Sequence, residues 1–367
     1  MEKHFLLGLV LLAFKLSVKC VVINPAVAYH LEYNLADNVD WVRIPTMVGE
    51  WIWTHRRSVN AMMKQHRSDE PPVKVEFLLH TRRDTVDEGH SMEVGNIESL
   101  LGSNFRSDLP TRIIVHGWQS SKSSPLAESI RDTYLLLWDY NVIVVDWSDC
   151  ALDWNYVRAV GCVPVVGQTL ARLLDEFQQH AGLMMENVYV VGHSLGAHVA
   201  GIAGKRVQNG RLHTIIGLDP ALPLFSIHEK ENRIDHQDAM YVEVIHTDGG
   251  LLGFRDPIGT ADFYPNGGSH QPGCGLDVVG LCSHTRAWEL FAESLLEPVE
   301  NLVASRIESL EEIERLPPVE MDSIGLGDYV VERVKMGGEP SNAGHAQGLY
   351  SITTSDKSPF FRKNRIA

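Results

Sequence analysis

The chain has 367 residues, 44% hydrophobic and 22% charged, which is ordinary globular material with enough apolar content for a large core and no composition of a fibrous or disordered protein. A formal net charge of −15 removes any electrostatic reason to bind nucleic acid or strongly anionic membranes and leaves neutral or zwitterionic surfaces open. No internal repeat or long low-complexity tract is present.

Lys3 followed by the ten-residue apolar run Phe5 to Phe14 and then Lys15 is too short to span a bilayer and predicts a secretory signal peptide over 1–20, with cleavage after Cys20 or as late as Ala28. The expected localisation is secreted and extracellular. Loss of Cys20 leaves four cysteines, Cys150, Cys162, Cys274 and Cys282, in two sequence-local pairs consistent with two short disulfide loops. No zinc-type Cys-x-x-Cys spacing and no Asn-x-Ser/Thr sequon occurs.

Residues 29–72 read as an irregular N-terminal extension or pro-segment, with the dibasic Arg56-Arg57 and the punctuation Asp69-Glu70-Pro71-Pro72. From Val73 strands and helices alternate. Strands are expected at Val73–His80 (an edge strand), Thr111–Val115, Val142–Val145, Val188–Val191, Thr214–Leu218 and Tyr241–His246. Helices are expected at 125–138, Tyr156–His180, 195–208 and Thr285–Leu296. The strands are continuous apolar runs separated by helices, so the expected architecture is α/β: a mainly parallel central sheet with helices on both faces. Residues 297–340 are acidic and read as weakly structured, and 348–354 alternates like a last strand. One catalytic domain over 73–360 accounts for the remainder.

The most informative segment is Gly192-His193-Ser194-Leu195-Gly196, set between the apolar strand 188–191 and a small-residue helix. Strand, sharp turn and helix with serine at the apex is the nucleophile elbow, in which a strained turn lifts a hydroxyl above the end of a sheet. A serine needs an imidazole to take its proton, and the imidazole needs a carboxylate to fix its tautomer. Asp219, in Gly217-Leu218-Asp219-Pro220-Ala221, stands at the carboxyl end of the next apolar strand. His284, in Cys282-Ser283-His284-Thr285-Arg286, sits in a short loop opening a helix, with His246 at a strand end as its rival among 17 histidines. The backbone N–H groups of Leu195 and of Trp118, in His116-Gly117-Trp118, are the candidate oxyanion donors.

Taken together, Gly-His-Ser-Leu-Gly-Ala-His, Gly-Leu-Asp-Pro-Ala, Val-Ile-His-Thr-Asp at 244–248, Phe-Tyr-Pro-Asn-Gly-Gly at 263–268 and Cys-Ser-His-x-Arg resemble the animal pancreatic-type lipase family. The resemblance covers roughly Val73 to Phe360. It implies an α/β-hydrolase fold, a catalytic Ser194, Asp219 and His284, oxyanion donors Trp118 and Leu195, and disulfides Cys150–Cys162 and Cys274–Cys282. The activity it implies is hydrolysis of lipid acyl esters, by a phospholipase A1 or a triacylglycerol lipase, at a membrane or lipid-droplet surface. No cofactor is required.

Three departures from the family pattern qualify this. The cysteine pair that flanks the family's lid encloses only seven residues here (GLDVVGL), a loop too short to cover an apolar cleft, so interfacial activation is expected to be weak. The C-terminal sandwich that docks colipase or lipid is not expected. The family's calcium ligands match through the Arg233 carbonyl, Asp235 and Asp238, but Lys230 stands where a glutamate ligand is common, which argues against tight binding of a hard cation; Glu229 or Glu231 is the substitute ligand the sequence offers, so a calcium site is left open at this point. The competing expectation is an inactive lipid-binding or yolk-type storage protein; such proteins lose the serine or break the elbow, and all three triad residues are present.

Overall fold

The computed structural model describes residues 41–46, 49–59, 61, 73–84, 89–315 and 333–361. The signal-peptide expectation lies outside the described residues. In chain order the strands are β1 Trp41–Pro45, β2 Trp51–His55, β3 Glu76–His80, β4 His90–Met92, β5 Thr111–Val115, β6 Asn141–Asp146, β7 Val188–His193, β8 Thr214–Leu218, β9 Tyr241–Ile245, β10 Ala261–Pro265, β11 Val303–Ile307, β12 Arg333–Lys335 and β13 Gly348–Ile352. The helices are α1 Ile97–Leu101, α2 Pro125–Leu137, α3 Ser148–Ala151, α4 Tyr156–Ala181, α5 Leu195–Arg206, α6 Leu281–Ser294 and α7 Leu310–Arg315.

Strands β3 to β13 form one sheet in the order β12-β11-β13-β10-β9-β8-β7-β5-β6-β3-β4. Its centre, from β13 through β10, β9, β8, β7 and β5 to β6, is parallel. Antiparallel pairs close both edges, β6 with β3 and β3 with β4 on one side, β13 with β11 and β11 with β12 on the other. The apolar runs are explained by burial on both faces. Ile113, Val115, Ile143, Val145, Val190, Ile215 and Val244 face a core shared with α4 and α5. Their neighbours Ile114, Val144, Val191, Ile216 and Ile245 face a second core with α2 and α6. With side chains alternating across a pleat, a strand covered on both faces has no polar side.

Helix ends follow local chemistry. Ser124 caps α2 by accepting from Ala127 N–H, with Pro125 in its first turn, and Asn155 caps α4 by accepting from Val157 N–H. Gly182 ends α4 at φ 72°, a left-handed stop. By length and composition α4 could cross a bilayer, yet thirteen of its residues are buried in the protein. It lies tightly on α5, where a Cβ at Gly167 would come within 2.7 Å of Ile202.

The structure differs from the sequence expectation at several places. β3 begins at Glu76 and is second from the edge, because the short β4 pairs outside it. β10 carries Asp262 and Pro265, which hide it from pattern reading; Asp262 is buried because it accepts hydrogen bonds from His246 and from the N–H groups of Ile258 and Gly259. The segment 29–72 contains the antiparallel pair β1–β2, in which the Arg43 guanidinium lies over the Trp51 ring. The acidic region 297–340 contains β11, α7 and β12. Helix α6 starts at Leu281, four residues before the expected Thr285, so His284 lies in its first turn and not in a loop.

Candidate active site

The elbow between β7 and α5 is strained as its sequence requires. Ser194 sits at φ 57°, ψ −123°, a conformation a non-glycine residue adopts only when its surroundings impose it. Those surroundings are glycine on both sides. A Cβ at Gly192 would meet the Gly196 carbonyl oxygen at 2.3 Å, and one at Gly196 would meet the Val115 carbonyl oxygen at 2.3 Å. The turn is held to the next strand by Ser194 N–H donating to Leu218 O at 3.0 Å and by Ala221 N–H donating to Ser194 O at 3.3 Å.

Asp219 follows β8 directly and is fully buried at φ 43°. Its Oδ1 accepts from the backbone N–H groups of Thr247 at 2.8 Å and Asp248 at 3.0 Å, and its Oδ2 faces Nδ1 of His284 at 2.6 Å. An acceptor-only carboxylate there requires the proton on His284 Nδ1, which leaves Nε2 as the basic nitrogen. Gly253 makes room for this carboxylate, since a Cβ there would lie 2.3 Å from Asp219 Oδ2. His246, the rival histidine, is committed elsewhere. Its Nε2 pairs with Asp262 at 2.9 Å, its Nδ1 lies 2.7 Å from the Phe254 carbonyl oxygen, and its ring stacks on Tyr264.

The structure joins Asp219 to His284 but draws no hydrogen bond between His284 and the Ser194 hydroxyl among the described residues. The nearest link is one residue away. The His193 ring packs against the His284 ring with centroids 4.6 Å apart, and its Nε2 donates to the His284 carbonyl oxygen at 3.1 Å. Burial, and then the adjacent His284, hold His193 down to about pKa 3, so it stays neutral.

The loop after β5 passes over the serine. A Cβ at Gly117 would stand 2.8 Å from Ser194 Cβ, so only glycine lets backbone approach this closely. Trp118 is anchored by its indole N–H on Asp153 O at 2.7 Å and by an edge contact with Tyr156, and Gln119 N–H donates to Ala151 O at 2.8 Å. The disulfide Cys150–Cys162 ties that supporting turn to α4. Beneath it His116 Nε2 pairs with Asp146 at 3.0 Å; burial alone would raise this carboxyl, but His116 and the Ser148 donors hold it at about 2.

On the opposite side, the disulfide Cys274–Cys282 closes the seven-residue loop. Asp277 within it caps α6 by accepting from Cys282 N–H at 3.3 Å and Ser283 N–H at 2.7 Å, which fixes the turn carrying His284. Leu276, Val278 and Leu281 are exposed on this loop, Leu276 to 93%.

Sequence reading assigned no role to Asp248, although it belongs to the Val-Ile-His-Thr-Asp string. Its carboxyl group, the Asp219 carboxylate and the His284 ring lie within 4.8 Å of one another. Burial and the neighbouring Asp219 charge raise the Asp248 pKa far above the ordinary 3.8. Asp248 therefore keeps its proton in the fold at a pH where the unfolded chain has lost it, and stability falls as pH rises through that window. Asp248→Asn is expected to flatten the slope by up to about 1.4 kcal/mol per pH unit between roughly pH 6 and 8. Denaturant titrations at several pH values measure it; an unchanged slope would mean Asp248 is ionised in the native protein.

The three residues matched to calcium ligands lie together beside α5. Lys205, on α5, donates its ammonium to Arg233 O at 2.9 Å and pairs with Asp238. Asp235 faces the Arg233 guanidinium at 3.4 Å and Lys230 at 3.5 Å.

Sheet order, elbow and flanking loops are those of an α/β-hydrolase. The model of the Lipase family matches residues 46–360, and the chain belongs to that family. Among curated proteins it is similar to lipoprotein lipase of Homo sapiens, 34% identical over 271 residues, covering 68% of this chain and 57% of that protein. Pancreatic triacylglycerol lipase of Myocastor coypus is 34% identical over 248 residues, covering 62% and 53%. Lipase member H-A of Xenopus laevis is 37% identical over 230 residues, covering 61% and 49%. The aligned region thus spans about half the length of these relatives.

Proposed function

We propose that this protein is a secreted serine hydrolase that cleaves acyl esters of lipids. The observation that carries the reading is the buried Asp219–His284 pair, 2.6 Å apart, set at the ends of the sheet strands beside the strained Ser194 elbow. In this reading His284 Nε2 takes the Ser194 proton as the hydroxyl oxygen attacks the ester carbonyl. The N–H groups of Leu195 and Trp118 receive the oxyanion, and the protonated His284 delivers its proton to the departing alcohol. Water then enters with His284 again as base, and deacylation returns the serine. The Asp219 carboxylate holds the tautomer of the imidazole and stabilises the imidazolium. No metal or organic cofactor takes part in any step.

The domain plan that goes with this reading is a signal peptide over 1–20, an N-terminal extension or pro-segment over 29–72 and a catalytic domain over 73–360. The substrate is expected at a membrane or lipid-droplet surface. The exposed Leu276, Val278 and Leu281 beside the His284 helix support that, since apolar side chains at a site's rim suit an apolar interface. A seven-residue loop cannot close over a cleft, which favours phospholipase A1 action at the sn-1 ester over triacylglycerol hydrolysis.

Purified protein given phosphatidylcholine and trioctanoin separately tests the substrate class. Phosphatidylcholine is expected to turn over faster, with fatty acid released from sn-1 and no marked rate jump at the critical micelle concentration. Faster trioctanoin cleavage with such a jump would overturn the short-loop argument. Absence of hydrolysis of either lipid would favour a lipid-binding protein.

A further inference from the structure

The cluster at residues 229–238 has the outline of a cation site, and its donor set answers whether a calcium ion fits. Calcium takes six to eight oxygen ligands at about 2.3–2.6 Å. Here the Arg233 carbonyl oxygen already accepts from Lys205 Nζ at 2.9 Å, and Asp238 Oδ1 is paired with the same ammonium. Asp238 Oδ2 accepts from Asp235 N–H at 2.8 Å. Of the remaining carboxylate, Asp235 Oδ2 faces Arg233 and Lys230, and Oδ1 faces His236 Nδ1 at 3.1 Å and Gln237 N–H at 3.3 Å. A divalent ion placed among these oxygens would have to displace a nearly buried ammonium and sit against the buried Arg233 guanidinium, with the more exposed Lys230 ammonium also facing Asp235. The residues do not fit calcium.

We propose that the Lys205 ammonium is a covalently tethered replacement for a divalent cation, bridging the helix that begins at the Ser194 elbow to the 229–238 segment. The helix surface is built for the contact. His198, Gly201 and Lys205 recur at i, i+3 and i+7, one face of a helix. His198 Nε2 donates to Ala221 O at 2.7 Å, two residues beyond Asp219, while its Nδ1 accepts from Ile234 N–H at 3.2 Å. A Cβ at Gly201 would stand 2.5 Å from Ile234 Cα, and one at Gly204 would stand 2.2 Å from Asp238 O. Backbone therefore lies directly on the helix, and Lys205 supplies the positive charge that two inward-turned oxygens need. Because this cation is part of the chain, the bridge has no binding equilibrium and no dependence on calcium concentration.

The inference does not rest on the proposed catalytic activity, and its test uses no substrate. The full-length protein is dialysed against EDTA, then titrated with CaCl2 by calorimetry and melted in EDTA and in about 5 mM CaCl2, a concentration that would fill even weak extracellular-type sites. No saturable calcium binding and a Tm unchanged to within about 1 °C are expected, since a ligand shifts stability only by binding the native state. One calcium bound per chain with a higher Tm would overturn the proposal, and this measurement on the unaltered protein decides even where a variant fails to fold. Lys205→Ser removes the tether and frees the oxygens. Its Tm is expected to fall by roughly 5–10 °C in EDTA, as for a broken buried pair in a domain of this size, and to recover in part on adding calcium. A Lys205→Ser protein as stable as the parent and indifferent to calcium would show that the ammonium bridges nothing.

Discussion

Ser194→Ala is expected to reduce ester hydrolysis by about six orders of magnitude, the loss seen when a member of a triad acting as a unit is removed. The argument is chemical and geometric together. Only a residue held at φ 57° between a strand end and a helix start presents its side chain above the sheet, and the backbone of Gly117 borders that hydroxyl. The substitution removes one oxygen that makes no hydrogen bond to His284 among the described residues, so the Tm is expected to stay within about 2 °C, in the usual range for a change that breaks no buried interaction. Lipid binding measured by vesicle flotation should survive. Activity is measured on a lipid and on a short-chain soluble ester, because loss on both separates the nucleophile from surface recognition. Turnover at a tenth of the parent rate or more would require another nucleophile and would remove Ser194 from the mechanism.

Much of this architecture is legible in the amino-acid order, for identifiable reasons. Strands β5 to β9 are buried on both faces, so they appear as unbroken apolar runs between turn residues, and the elbow follows from glycines at 192 and 196. What escaped is what long-range contacts create. Asp262 looks like a loop residue until its partner His246, sixteen positions earlier, is placed beside it. Gly253 gives no local signal of its role, because the atom it avoids belongs to Asp219. The early start of α6 was hidden because its cap is Asp277, inside a cysteine loop, and not a residue at the expected boundary. His193 and Asp248 lie inside strings that resemble the family's, yet their contacts with the histidine and the aspartate of the candidate triad appear only in three dimensions.

The calcium ligands teach the complementary lesson. Arg233, Asp235 and Asp238 match a ligand pattern by spacing, and the departure that sequence exposes is Lys230. The structure gives the larger role to Lys205, twenty-eight positions before Arg233, whose ammonium contacts two of the three groups. A ligand motif read along the chain counts oxygens; whether they are available depends on which cation the fold brings to them.

Asp219→Asn should be the second most damaging change at the site, and it separates orientation from charge. The asparagine keeps one carbonyl-type oxygen able to accept from Thr247 N–H and Asp248 N–H, so two of the three donors remain satisfied and the fold should hold. Its amide N–H2 then faces His284 Nδ1, which must become an acceptor. The proton moves to Nε2, the nitrogen required to receive the serine's proton, and kcat should fall by about four orders of magnitude with KM little changed. A reduction of less than tenfold would show that Asp219 does not set the tautomer. Asp248 supplies an internal control. The Asp219 charge is one of the two main reasons its proton is retained, so Asp219→Asn makes Asp248 easier to ionise and leaves a second carboxyl within 4.8 Å of the same ring. Any residual rate in Asp219→Asn that rises with pH and disappears in the Asp219→Asn, Asp248→Asn double variant would identify Asp248 as the substitute carboxylate. A residual rate independent of pH and equal in both variants would leave Asp248 as a packed, neutral acid whose part is confined to stability.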